Sequence, residues 1–245
     1  MVEPTPDRPS ASPAMETYLL GRVDFAQCLA MQRQLLRQVA VRDDGQVVLL
    51  LCEHPEVITI GRGGAALHVA GQSPSLRSHR LPSLYVNRGG GAMLHCPGQL
   101  AIYPILPLWW HRLSVGAFLR RLQTAVIETL DELRIRGAPL PGRWGIWGRT
   151  GQLAMLGAAV RYGVTYFGAY LNVCPPMGLF RLVETDPIDQ TRMSLLVAER
   201  QGHVRMTTVR AALIPRLADA LGCDRYHLYT GHPLLGRDNE TRNTV

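Results

Sequence analysis

The stretch NRGGGAMLHCPGQ, residues 87–99, sets three consecutive glycines after an arginine, and a His-Cys-Pro-Gly turn follows closely. Glycine admits backbone conformations closed to other residues and lets another molecule lie directly against the chain. Gly89, Gly90 and Gly91 together carry too high a chain-entropy cost to serve packing alone, so the run reads as backbone that a ligand approaches. Arg88 adds a fixed positive charge with forked donors for a carboxylate, phosphate or amide oxygen. His95 can donate, accept or shuttle a proton. The run contains no G-x-x-x-x-G-K-[ST] phosphate loop, and it does not join a strand to a helix as a dinucleotide fingerprint does. Taken alone, these residues predict a pocket for a small ligand.

Outward from the glycines, "SLYVNR" reads as a strand entering the run and "QLAIYPILPL" as a strand leaving it. Upstream, Asp24 is a candidate N-cap for the helix "FAQCLAMQRQLLRQVAVR", whose apolar residues recur every three or four positions. "QVVLLLCE" and "EVITIGR" read as strands split by His-Pro, and residues 61–82 as a loop. Downstream, residues 114–135 form the clearest helix, capped by Ser114 and ended by Gly137 and Pro139. The Gly-punctuated alternation of residues 144–173 predicts antiparallel strands, and a last helix covers residues 208–221. Trp109 and Trp110 read as core and rim residues at the end of the strand that leaves the run. The fold class is therefore α/β of the α+β type, a single domain with helices packed on a mixed, largely antiparallel sheet. Residues 16–230 make that domain, between a Pro/Ser-rich disordered tail at 1–15 and a polar tail at 231–245; Met15 offers an alternative start.

Hydrophobic residues make up 47% of the 245, the share of an ordinary globular chain. No apolar run reaches the roughly 18 residues of a membrane span, and the N-terminus lacks the apolar middle of a secretory signal, so the expected location is cytoplasmic. The cysteines (Cys28, Cys52, Cys96, Cys174 and Cys223) are odd in number and scattered without a C-x-x-C pair. That spacing argues against a disulfide framework or a structural zinc site, and no metal or cofactor is expected. All 26 basic residues are arginine, so no side-chain amine is available as a base, a Schiff-base former or a thiol activator. The net charge of +7 suits an acidic partner. The arginines form no basic run with interleaved aromatics, which excludes nucleic acid as the expected partner.

Five segments in order, "GRVDFAQCLAMQRQL", "EHPEVITIGRGG", "RGGGAMLHCPGQLAIYPILPL", "LGAAVRYGVTYFGAYLNV" and "MSL", together resemble the octanoyltransferases of the lipoate and biotin ligase superfamily. The resemblance runs from about residue 20 to 221. It implies one α/β domain holding an acyl chain in a tunnel. It also implies transfer of an octanoyl group from acyl carrier protein to a lysine on a lipoyl domain, that of a 2-oxoacid dehydrogenase or of the glycine cleavage H protein. Carried over by position, the family's acyl pocket falls on Arg88, Gly89, Gly90, Gly91, Ala92, Met93, Leu94 and His95. Two further segments fall on Met155, Leu156 and Gly157, and on Gly168, Ala169 and Tyr170. These residues are mostly small or apolar, as an alkyl tunnel requires.

The family's chemistry runs through a cysteine that accepts the acyl group and a lysine that lowers the thiol's pKa. Counting back from Met193, the cysteine position falls on Thr185; counting back from Gly157, the lysine position falls on Gln152. A family histidine becomes Phe167, and the glycine after His95 becomes Cys96. A threonine hydroxyl needs a strong local base, which Gln152 does not supply. Three readings follow. The nucleophile has moved to Cys96 or Cys174; or the chain binds acyl groups without turnover; or it holds thioester and amine together for direct transfer, with His95 as proton acceptor. His95 and Cys96, as strand neighbours, point to opposite faces, which counts against a direct Cys–His pair. An ATP-using ligase is less expected, since lysine is also its key contact.

Overall fold

The computed structural model describes residues 13–64, 81–180 and 192–236. Its centre is β2 (Val47–Glu53), whose sequence VVLLLCE is buried along both faces. Val47, Leu49 and Leu51 enter one apolar cluster, while Val48, Leu50 and Cys52 enter another on the opposite side. The neighbouring strand β6 (Gln99–Ile105) divides in the same way, Leu100 and Ile102 to one side and Ala101, Tyr103 and Ile105 to the other. A strand apolar on both faces needs cover on both, and the helices supply it.

One face is covered by α1 (Phe25–Ala40), capped by Asp24, whose carboxylate accepts from the Gln27 amide at 3.0 Å. Its Phe25, Cys28, Leu29, Leu35, Leu36 and Val39 recur at helical spacing and join the second cluster. The other face is covered by α2 (Val115–Glu132), capped by Ser114, together with α5 (Met206–Leu221), through Phe118, Leu122, Val126, Val209, Leu213 and Leu217. Shorter helices are α3 (Met177–Phe180), α4 (Leu196–Arg200) and α6 (Pro233–Gly236).

The seven strands of the main sheet lie in the order β10-β1-β2-β6-β9-β8-β7. Strands β1 (Ala14–Arg22), β2 and β10 (Arg225–Thr230) are parallel; the rest, with β7 (Gly145–Trp147), β8 (Gln152–Arg161) and β9 (Val164–Asn172), are antiparallel. A small second sheet sets β3 (Val57–Ile60) between β4 (Ser83–Tyr85) and β5 (Ala92–His95). The mixed, largely antiparallel domain is thus the expected one. Two strands lie outside that expectation: β1 begins in the segment read as a tail, and β10 follows α5 in residues for which no element was read. Every residue of β10 is exposed, so it shows no buried alternation to mark it.

Strand β9 breaks the usual alternation. Phe167 takes a left-handed φ of 58° inside the strand, which turns both Tyr166 and Phe167 toward α1. The buried Gln32 side chain holds this conformation by accepting from the Phe167 amide at 2.9 Å.

Candidate functional site

The glycine run is fastened from two directions. Gly61, Arg62 and Gly63 donate their amides to the carbonyls of Gly91, Arg88 and Gly90 at 3.1, 3.0 and 3.1 Å. On the far side the Gly89 amide donates to Ala158 of β8 at 3.1 Å. The run therefore bridges the small sheet to the main one. At Gly157 a Cβ would lie 2.6 Å from the Gly89 carbonyl, so only glycine lets the loop approach β8 this closely.

Behind the run stands a chain of buried polar groups. Arg88 is fully buried and donates through Nη2 to the Thr59 carbonyl and hydroxyl at 2.9 and 2.7 Å, and through Nη1 to the Gly89 carbonyl at 3.0 Å. Burial lowers its pKa from the usual guanidinium value. The Thr59 hydroxyl, accepting from Arg88, donates in turn to His95 Nε2 at 2.8 Å. Nδ1–H of His95 donates to Gln99 Oε1 at 2.9 Å, because the Gln99 amide nitrogen is already directed at Leu94 O and Asn172 Oδ1. Burial, then the nearby His54 and Arg88, hold His95 well below the usual imidazole range, so the ring is neutral. Arg88 and His95 thus brace the loop from within, their hydrogen bonds directed into the fold. The Arg88 Nε and the Tyr170 hydroxyl are buried without a protein partner. Burial pushes Tyr170 up to about 12.

In front of the run opens a cleft of about 500 Å³. Gly89, Gly90 and Gly91 form one wall, and Gln152, Met155, Leu156, Gly157 and Ala158 of β8 the floor. Val115 and Leu119 of α2, with Trp144 and Trp147, close the apolar side, and Arg62 and Arg143 stand at its polar edge. The volume lies within the range of small-ligand pockets. Burying eight methylene-sized groups here would supply on the order of 5 kcal/mol before costs. Sequence reasoning missed Val115, Leu119, Trp144 and Trp147; the Ser114 cap was legible, but not that the first turn it starts faces the glycines.

The expected site residues divide accordingly. Gly89, Gly90, Gly91, Gln152, Met155, Leu156 and Gly157 meet at the cleft. Arg88, Ala92, Met93, Leu94, His95, Ala169 and Tyr170 are buried behind it. Gly168 pairs with Gly157 across the strands, and a Cβ on it would lie 2.3 Å from the Ile102 carbonyl, so its smallness serves strand packing. Thr185 lies outside the described residues. The chain resumes at Arg192 and Ser194, which hydrogen-bond the Gln152 backbone at 2.9 and 2.8 Å. The Gln152 side chain donates to the Ala154 carbonyl at 3.2 Å.

No cysteine lines the cleft among the described residues. Cys96 is fully buried among Ile58, Ile60, Leu94 and Met193, and burial pushes its thiol up to about 12, far from a thiolate at neutral pH. Cys174 is exposed, follows β9 beside Gly98, and has a thiol pKa raised by partial burial and by Glu53.

The architecture is that of a two-sheet α/β domain, and comparison with known proteins makes the class specific. The lipoyl protein ligase A/B catalytic domain model matches residues 24–218. The octanoyltransferase of Chloroflexus aggregans is 34% identical over 208 residues, 83% of this chain and 93% of the relative. That of Geobacter metallireducens is 38% identical over 164 residues, covering 67% and 73%. Among solved structures, lipoate-protein ligase A bound with ATP superposes with a TM-score of 0.73 at 17% identity, over 94% of this chain and 95% of that one. The bipartite lipoate protein ligase of Thermoplasma acidophilum gives 0.71 at 17% identity, over 94% and 93%. The chain belongs to the lipoyl protein ligase A/B catalytic-domain family, with octanoyltransferases as curated relatives. Among the described residues no helix is long and apolar enough to cross a membrane.

Proposed function

We propose that the cleft holds the acyl chain of an octanoyl or lipoyl thioester and that the protein moves this group to a lysine of a lipoyl domain. Octanoyl acyl carrier protein is the donor. The acceptor belongs to a 2-oxoacid dehydrogenase or the glycine cleavage H protein. The observation that carries this reading is the cleft walled by the glycine run, floored by β8 and closed along one side by Val115, Leu119, Trp144 and Trp147.

Gln152 and Thr185 occupy the positions of the family's lysine and cysteine, so the reaction runs without an acyl-cysteine. The lysine amine attacks the thioester carbonyl, a C–N bond forms, the C–S bond breaks, and the amine proton passes to the departing thiolate. A thioester is already activated, and holding it against the amine supplies the acceleration. His95, engaged at both nitrogens, acts by bracing the wall. A second reading, binding without turnover, is favoured by a neutral amide at Gln152 where the family uses a cation.

Mass spectrometry of all three proteins after incubation of this chain with octanoyl acyl carrier protein and a lipoyl domain separates these readings. Direct transfer adds octanoyl to the lipoyl domain and none to this chain, and Cys96→Ala and Cys174→Ala leave it unchanged. A covalent octanoyl adduct on this chain overturns direct transfer. Unmodified lipoyl domain with retained donor binding establishes the second reading.

A further inference from the structure

Behind the bracing network, between α1 and β2, lies a cluster that neither the cleft nor acyl transfer uses. Cys28 Sγ and Cys52 Sγ are 3.9 Å apart, and Cys52 Sγ is 3.6 Å from His54 Nε2. The three ligand atoms all lie within 4.8 Å of one another and all three residues are fully buried. A tetrahedral zinc centre, with bonds of about 2.3 Å to sulfur and about 2.0 Å to nitrogen, has S···S and S···N edges of roughly 3.8 and 3.6 Å. The two measured edges fit. We propose that Cys28, Cys52 and His54 form a structural site for one thiophilic divalent cation, of the zinc class.

The outer contacts suit such a site. His54 Nδ1–H donates to the Val23 carbonyl at 2.8 Å, which fixes the tautomer whose lone pair is on Nε2, the ring nitrogen 3.6 Å from Cys52 Sγ. Gln32 Nε2 donates to Cys28 Sγ at 3.7 Å, a contact that favours a thiolate. The Tyr103 hydroxyl donates to His54 Nε2 at 2.8 Å, and on loading it gives up this lone pair to the cation and turns to the Tyr170 hydroxyl near it, which is buried without a protein partner. Two buried cysteines by themselves would be small hydrophobes; the imidazole nitrogen and its carbonyl anchor are what point to an ion. Charge selects the valence. Loading breaks two S–H bonds, releases both protons to water and forms two metal–sulfur bonds. Two thiolates, a neutral imidazole and a divalent cation then sum to zero, so no net charge is buried. Loaded, the site would tie α1 to the end of β2. Ligands from two elements, 24 residues apart, carry no local spacing signature, which is why the cysteine pattern did not predict it.

The full chain, expressed with added zinc and dialysed against a mild chelator, should hold about one zinc per chain by elemental analysis. Expression in cobalt should give a thiolate-to-cobalt charge-transfer band. The Cys28→Ala/Cys52→Ala variant should fall below about a tenth of an equivalent, while Cys96→Ala and Cys223→Ala retain the metal. The unmutated protein alone can refute the proposal, even if that double variant fails to fold. Less than a tenth of an equivalent with no charge-transfer band overturns it, as does a Cys28–Cys52 disulfide, or metal that persists in a folded double variant.

Discussion

His95 illustrates how burial decides what a residue can do. On a surface its ring would titrate near neutrality, but here Phe25 and Tyr170 pack against it and His54 and Arg88 face it, so the cation is excluded. The folded state thus binds a proton less readily than the unfolded chain, whose imidazole titrates near 6.5. Its contribution to stability is complete above that value and is lost as pH falls below it. Between about pH 7.5 and about pH 5 the thermal midpoint of the unmutated protein should fall more steeply than that of His95→Gln, although the variant is less stable at the upper pH. Equal slopes in calorimetry would show that His95 is not held neutral. Gln152 presents the complementary case. Its amide is uncharged at every pH, so no cation at that position lowers a thiol's pKa by charge.

At the scale of elements, α4 fixes the entry to β8. Glu199 accepts from the amides of Arg149 and Thr150 at 2.8 and 2.9 Å and from the Thr150 hydroxyl. These bonds pin the turn from which Gln152 starts. Burial alone would push the Glu199 carboxyl up, but the Thr150 and Arg149 hydrogen bonds outweigh it and hold the group below 4.5. The stabilisation is therefore present above the usual carboxylate range and is lost as pH falls through the depressed value. Glu199→Ala leaves two amides and a hydroxyl without their acceptor and should cost roughly 2 kcal/mol in urea unfolding at neutral pH. The difference from the unmutated protein should shrink in acid. A neutral-pH loss below about 0.5 kcal/mol would mean that water replaces the carboxylate there.

Across the whole molecule the charge is one-sided: 26 arginines against 19 acidic residues, a net +7. Such a field raises encounter rates with acidic partners, and salt screens it. Acyl carrier proteins and lipoyl domains tend to be acidic. The association rate with acyl carrier protein should therefore fall about tenfold from low to physiological salt, with dissociation little changed. Stopped-flow fluorescence would measure both, and a salt-independent association rate would remove charge as a recognition element. Arg62 and Arg143 stand at the edge of the cleft, the side on which the proposed function would bring an acidic partner.

The amino-acid order alone settled the helices α1 and α2 with their caps, the existence of strands β2 and β6, and the absence of lysine, because periodicity, capping and composition are local properties. It could not show β10, whose exposed edge has no buried face, nor the Trp144 and Val115 side of the cleft, which exists only once α2 packs over β8. The inward turn of Arg88 and His95 likewise came from tertiary packing. Whether a charged or titratable group faces solvent, ligand or core depends on partners distant in the chain, such as Thr59 and Gln99. The same holds for Cys28 and Cys52, unremarkable in spacing and brought together only by the docking of a helix on a strand.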